Sequence, residues 1–259
     1  MSIQLENVPE LPPSTFVLGV RVDRVTRIQA LNLIEQMIAL RRASETARPC
    51  QQIVTVNTEF VMAAQKNSDF RRTINSAALV VADGIGIVWA TYPGKMRVPE
   101  RITGTDTVVA LAKRCAASGY RLYLLGAAPG VAERAATHLQ AVAPGVVIAG
   151  TYAGSPALEE EAAILERIRA AHADVLCVAY GAPAQELWIR RNLARLPVAV
   201  AMGVGGAFDF LSGRQRRAPR IMQHLGLEWL YRLYREPWRW KRMLAIPKFM
   251  LYVLLKGRK

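Results

Sequence analysis

The chain has 259 residues and a formal net charge of +14, with 34 Lys or Arg against 20 Asp or Glu. Hydrophobic residues make up 52%. That excludes disorder over most of the length and suits one domain with an appendage, or two small ones. No apolar run approaches the roughly 20 residues that a membrane-crossing helix needs; the nearest, 196–208 and 246–255, are short, and the second contains Lys248.

Met1 to Phe16 has neither a basic start nor an apolar core, so no signal peptide is expected and the protein is expected to stay in the cytoplasm. After Pro9, Pro12 and Pro13, residues 16–22 read as a short strand. Residues 26–42 carry Ile28, Leu31, Leu33, Ile34, Met37 and Ile38 at helical spacing. A strand at 52–56 precedes helices at 58–66 and 68–76, and residues 79–82 form a buried strand ending in Asp83-Gly84. A helix at 105–117 leads to a strand at 121–125 that ends at Gly126. A helix at 129–142, a strand at 146–149 and a charged amphipathic helix at 158–172 follow. The strand 175–179 ends at Tyr180-Gly181, before a helix from Pro183 to about Leu193. The last strand, 198–202, ends in a turn with Gly203, Gly205 and Gly206. Short strands alternating with helices predict an α/β fold: a Rossmann-like, mostly parallel sheet with helices on both faces, over residues 1–212.

Residues 213–259 differ. They hold 13 Lys or Arg against 2 acidic residues, so +11 of the total +14 lies there, together with Trp229, Tyr231, Tyr234, Trp238, Trp240 and Tyr252. Residues 222–235 read as a helix, Pro237 starts or kinks the next segment, and a last stretch runs from Pro247 to Leu255. Arg232, Arg235, Arg239 and Arg242 would form a cationic stripe on one continuous helix, which Pro237 interrupts. Cations interleaved with Trp and Tyr suit a phosphate-bearing surface, and the Trp content turns the expectation toward an anionic membrane. The segment is therefore expected to be a helical, membrane-associating C-terminal appendage.

Open parallel sheets bind ligands beyond the carboxyl ends of their strands. Asp83 stands there, before Gly84. A carboxylate in that position suits an N-cap of the next helix first, and a general base second. Thr55 and Asn57 share a face at the end of their strand, with Asn57 also a natural helix cap. Arg97, Arg101, Thr103, Thr105 and Asp106 surround Gly104, a grouping that fits a diphosphate or carboxylate, or a solvated loop capped by Asp106. The glycine loops beginning at Gly84 and Gly203 carry Trp89 and Phe208 where a dinucleotide fingerprint needs a small residue, and no Walker lysine motif occurs. NAD enzymes and nucleoside triphosphatases are thus disfavoured. No Asp-x-Asp occurs, so no metal is expected and a leaving diphosphate would need Arg, Lys or helix N-termini. Cys50, Cys115 and Cys177 have no metal-ligand spacing and read as buried apolar residues.

Five stretches in order resemble the WecG/TagA/CpsF family, glycosyltransferase family 26. They are Thr55-Val-Asn57-Thr-Glu59-Phe60, Ala82-Asp83-Gly84-Ile-Gly86, Arg101-Ile-Thr-Gly104-Thr-Asp106, Gly181-Ala-Pro183-Ala-Gln185-Glu186 and Gly203-Val-Gly205-Gly-Ala-Phe208-Asp209. Arg217-Ala-Pro219 and Gly226-Leu-Glu228-Trp229-Leu-Tyr231-Arg232 extend the resemblance into the tail. It implies an inverting, cofactor-free transferase, peripheral on the cytoplasmic face of the bacterial inner membrane. Such enzymes move a hexosyl group (N-acetylmannosamine, its uronic acid or glucose) from a UDP-sugar to a polyprenyl-diphosphate-linked sugar during cell-surface polysaccharide synthesis. It also implies Asp83 as base. Thr55, Asn57, Gly84, Arg101, Gly104, Asp106, Gly126, Gln185, Arg217 and Arg232 are the expected substrate-binding residues. Oligomeric state stays open, a homo-oligomer included. Two competing classes are a nucleic-acid binder acting through the basic tail and a non-catalytic membrane scaffold; neither accounts for the polar residues gathered at the strand ends.

Overall fold

A computed structural model describes residues 12–44, 48–92 and 96–256. The chain opens with an antiparallel hairpin of β1 (Ser14–Val17) and β2 (Val20–Asp23). The single strand expected at 16–22 is thus corrected to two short strands. Leu18 and Gly19 both take positive φ, 50° and 76°, the turn geometry that matches the twist of two paired strands.

Then follow α1 (Arg27–Ala43), β3 (Gln51–Val56), α2 (Thr58–Ala64), α3 (Ser68–Asn75), β4 (Leu79–Ala82) and α4 (Ile85–Ala90). The next run comprises α5 (Gly104–Ser118), β5 (Arg121–Gly126), α6 (Val131–Val142), β6 (Val147–Tyr152), α7 (Glu161–Ala170), β7 (Val175–Ala179), α8 (Ala184–Asn192), β8 (Val200–Gly203) and α9 (Ala207–Leu211). Strands β3 to β8 form one parallel sheet in the order β4-β3-β8-β7-β5-β6. The expected α/β sheet covered on both faces is the fold observed.

Side chains alternate between its faces, as the strand period of two requires. Ile53, Leu79, Val81, Leu122, Leu124, Val175, Cys177 and Met202 pack beneath α1, α5, α6 and α9. Val54, Val56, Val80 and Ala82 point the other way, toward α2, α3 and α4. Tyr123, Leu125, Leu176, Val178 and Ala201 face α7 and α8. Caps set the helix starts nearest the sheet ends: Asn57 accepts from the Phe60 N–H at α2, and Thr103 accepts from the Asp106 N–H at α5.

The C-terminal region folds as α10 (Arg220–His224), α11 (Glu228–Arg235), a 3-10 turn at Pro237–Arg239, α12 (Trp240–Met243) and α13 (Ala245–Lys256). The helix expected over 222–235 is two helices, because Gly226 takes a φ of 72° that ends the first. The four-arginine stripe is likewise broken. Arg232 on α11 lies with its guanidinium 5.0 Å from the Phe210 ring centre. Arg242 on α12 pairs with Glu59 on α2 at 2.6 Å. The Arg239 side chain lies outside the described part. Phe249 and Val253 of α13 are buried in the core layer beneath α2 and α4.

Gly126 ends β5 with a φ of 100°, and a Cβ there would lie 2.8 Å from the backbone of Ala179 on β7. Its place among the expected binding residues has a packing reason: two strand ends meet where only hydrogen fits. Gly126→Ala combines left-handed strain with overpacking. Urea denaturation should show a loss of about 2–4 kcal/mol, the strain and overpacking costs together.

Candidate active site

Asp83 continues the line of β4, its N–H donating to the Val56 carbonyl at 2.7 Å. It is not a helix cap. Gly84 occupies that position with an extended backbone and no side-chain cap. The Asp83 carboxylate instead accepts from the Gly104 N–H, at the start of α5, at 3.2 Å. Around Gly104 three strand ends converge: a Cβ there would lie 3.6–3.7 Å from the Val204 carbonyl, Asp83 Oδ2 and Thr55 Oγ1. Thr55 in turn donates to the Gly203 carbonyl at 3.3 Å. Asn57 stands beside Gly84, with its Cβ 3.5 Å from the position a Gly84 Cβ would take.

Burial pushes the Asp83 carboxyl up to about 7, with the Gly104 N–H and the Arg101 charge pulling the other way and Glu228 and Asp106 adding to the rise. Among the described residues no cation forms a direct ion pair with it. A carboxyl whose proton affinity is raised by burial, next to Gly84 backbone, is a candidate acid–base group.

Arg101, Asp106 and Arg217 meet a few ångströms away in one network with Glu228. Arg217 holds Asp106 at 2.5 Å and Glu228 at 3.4 Å, and Arg101 lies 3.7 Å from Glu228. Asp106 also accepts from the Thr103 hydroxyl at 2.7 Å. Burial raises its pKa, but the hydrogen bonds from Arg217 and Thr103 outweigh that and hold it below the usual range. The cap of α5 is therefore Thr103, and Asp106 links that helix to the C-terminal region. Arg101 donates to the Gln223 carbonyl, at the end of α10, at 3.0 Å. Arg232 sits further along, its Nη2 3.5 Å from the Cβ position of Gly206. It borders a pocket of about 240 Å³ that includes Arg214, Arg216, Tyr231 and Trp238.

Gln185 is buried, and its Oε1 accepts from two loops at once: the Gly181 N–H at 3.1 Å and the Gly205 N–H at 3.0 Å. Both glycines have positive φ, 78° and 51°. The residue expected in the substrate pocket thus ties the β7 and β8 loops together. Behind it stands Glu186, fully buried, accepting from Gln185 Nε2 at 3.0 Å and from Gln52 Nε2 at 2.9 Å. Burial pushes the Glu186 carboxyl up to about 7, against the hydrogen bonds of Gln185 and Gln52. At Gly203 any Cβ would lie 2.0 Å from Glu186 Oε1, so the carboxyl fills the space that glycine leaves. Sequence reasoning missed Glu186, Gln52 and Glu228. The available signal was Gln52 and Glu186 standing at otherwise apolar core positions. Among the described residues no His, Cys, Asp and Glu side chains gather as a metal site. Cys50, Cys115 and Cys177 are buried free thiols.

A carboxyl at the carboxyl edge of a parallel sheet, with the Arg101 and Arg217 network beside it, is a candidate group-transfer site. Comparison with known proteins gives that class a family. The chain belongs to the glycosyl transferase WecG/TagA/CpsF family, whose model matches residues 15–259, and it is a glycosyltransferase. It is 38% identical over 202 residues, 78% of each chain, to a Bacillus subtilis strain 168 protein named N-acetylglucosaminyldiphosphoundecaprenol N-acetyl-beta-D-mannosaminyltransferase. A Bacillus spizizenii strain W23 protein of the same name is 35% identical over 206 residues, covering 80% of this chain and 79% of the relative.

The Glu186 cluster makes a prediction about stability. Glu186→Ala removes the side-chain acceptor of the buried Gln185 and Gln52 amides and should lower unfolding free energy by about 2–6 kcal/mol in chemical denaturation, at roughly 1–3 per bond lost. Glu186→Gln should recover about half of it. Gln52 Nε2 also donates to the Glu186 backbone carbonyl at 3.1 Å, which holds that amide in place while the variant keeps one acceptor oxygen for it or for Gln185.

Proposed function

We propose that this enzyme transfers an N-acetylmannosaminyl group from UDP to N-acetylglucosamine carried on a polyprenyl diphosphate, at the cytoplasmic face of the membrane. The observation that carries the reading is the placement of Asp83: a carboxyl at the end of β4 that accepts from the Gly104 N–H and, among the described residues, pairs with no cation, with burial pushing it up to about 7. The relatives' names support the acceptor, and among N-acetylmannosamine, its uronic acid and glucose they favour the first as donor. In the proposed step Asp83 takes the proton from the acceptor hydroxyl. The hydroxyl oxygen bonds to the anomeric carbon as the bond from that carbon to the UDP oxygen breaks, and the configuration inverts. Thr55, Asn57, Gly84 and Gly104 shape the pocket around that carboxyl. Gln185 acts by holding the Gly181 and Gly205 loops, and Gly126 by letting the β5 and β7 ends close. Arg101, Arg217 and Asp106 form the rim, where the guanidinium groups and the α5 N-terminus meet diphosphate charge. Arg232 serves the neighbouring basic pocket.

Residues 213–259 form the appendage of a domain that ends near 212 and act as its peripheral membrane contact. Among the described residues no helix is long and apolar enough to cross a membrane. Large apolar side chains lie open instead: Tyr234 is 82% exposed, Trp238 73%, Leu254 71% and Leu255 75%. Such a mixture of aromatics, leucines and cations suits a lipid headgroup boundary better than a nucleic acid, which needs cations and little hydrocarbon.

Asp83→Asn should cut kcat by roughly 10²–10⁴, the usual worth of a general base. Wild-type kcat/KM should rise with pH and level off above about 7, because only the ionised carboxyl accepts a proton; the variant should lose that limb. Stability has the opposite sign. The folded pKa is raised, so the stability carried by the neutral carboxyl is present at low pH and lost as pH rises through about 7. The permanently neutral Asn should therefore melt at or above the wild-type temperature at pH 8. An Asn variant with full turnover overturns the base assignment. Trp238→Ser with Trp240→Ser should reduce flotation with phosphatidylglycerol vesicles by about ten-fold, with the melting temperature unchanged.

A further inference from the structure

An apolar seam leads away from Asp83. Helix α4 starts two residues after it, and Ile85 and Trp89, one turn apart, are 43% and 37% exposed. Ile85 packs on the turn after α10: a Cβ on Gly226 would lie 2.6 Å from Ile85 Cγ2. Ile221 on α10 and Leu225, which caps that helix, are also one turn apart, and they are 73% and 64% exposed. Through the contact of Ile85 with Gly226, the apolar pair on α4 adjoins the element that carries the second pair. Arg101 stands at the inner end of the seam, donating to the carbonyl of Gln223, which lies between Ile221 and Leu225. Soluble proteins seldom leave contiguous apolar surface of this kind without a use for it.

The chemical order along the seam is carboxylate, guanidinium, hydrocarbon. A sugar hydroxyl, a diphosphate and an isoprenoid chain follow one another in the same order in a polyprenyl-diphosphate-linked sugar. We propose that the junction of α4 and α10, through Ile85, Trp89, Ile221 and Leu225, holds the first isoprene units of the acceptor. The inference rests on the transfer reaction proposed above and adds the place where the acceptor's lipid leaves the crevice. It differs from membrane attachment by the tail. The occupant is one covalently attached chain, and it should be bound in the absence of any bilayer.

The test uses detergent micelles and the full-length enzyme. Two acceptors carry the same sugar diphosphate, one on a long prenyl chain and one on a short alkyl chain. Trp89→Ser with Leu225→Ser, both at exposed positions, should lower the ratio of kcat/KM for the long over the short acceptor by about ten-fold relative to wild type, the worth of a few buried methylenes. An unchanged ratio overturns the seam. So does a loss that appears only when vesicles replace micelles, because the surface then meets the bilayer rather than the chain. Wild-type enzyme that uses neither acceptor overturns the transfer reaction itself, and with it the seam; wild-type turnover with an unchanged ratio removes the seam alone.

Discussion

The hydrogen bond from the Gly104 N–H to Asp83, 3.2 Å long, ties together most of what surrounds the crevice. It joins the end of β4 to the first turn of α5, beside the backbone bond from the Ile102 N–H to the Ala82 carbonyl at 2.7 Å. Its energetic character matters as much as its place. One backbone N–H satisfies one carboxylate oxygen but does not neutralise the charge, and burial then lifts the pKa to about 7. A direct ion pair would hold the group ionised and reduce its basicity. The arginines are nearby, but they are engaged with Asp106 and Glu228. The carboxyl is thus supported without being quenched.

Those ion pairs also explain how a strongly basic C-terminal region coexists with a site built around a carboxyl. Arg217 and Arg214, between α9 and α10, and Arg242 on α12 each meet an acidic side chain: Asp106, Asp209 and Glu59. Partly exposed pairs of this kind contribute little stability, about 0–1 kcal/mol each. Their value is orientation. Attachment comes from apolar burial, with Phe249 and Val253 of α13 set into the layer under α2 and α4; each contributes roughly 1.5–3 kcal/mol on that basis. Hydrophobic contact fixes where the segment lies, and charge fixes which way its arginines point.

A second buried carboxyl, Glu186, has a different task. It sits behind the sheet ends and supports Gln185, which bridges two glycine loops by their N–H groups. Asp83 and Glu186 have similarly raised pKa values, both from burial. Their surroundings separate them: Asp83, at a strand end, is only half-buried, and Glu186 is fully buried. An elevated pKa alone does not distinguish a reacting group from a structural one.

The sheet was legible in the sequence because short apolar runs such as 79–82 and 175–179 report burial on both faces and end in glycine or a polar residue. Asp83, Thr55 and Asn57 were legible for the same reason, since strand ends are where ligands bind in such folds. Three things were not legible. The hairpin turn at Leu18-Gly19 depends on a leucine taking positive φ, which no local preference announces. The break at Gly226 depends on that glycine closing on Ile85 from a distant helix. The partners of Gln185, Glu186 and Arg217 are far from them in sequence, and hydrogen bonds between distant residues leave no periodic trace. Sequence alone therefore determined the layers, the crevice and the carboxyl at its edge, because local burial and strand order suffice for those. Only the tertiary structure decided which polar groups are free to react, because that depends on which neighbours already occupy them.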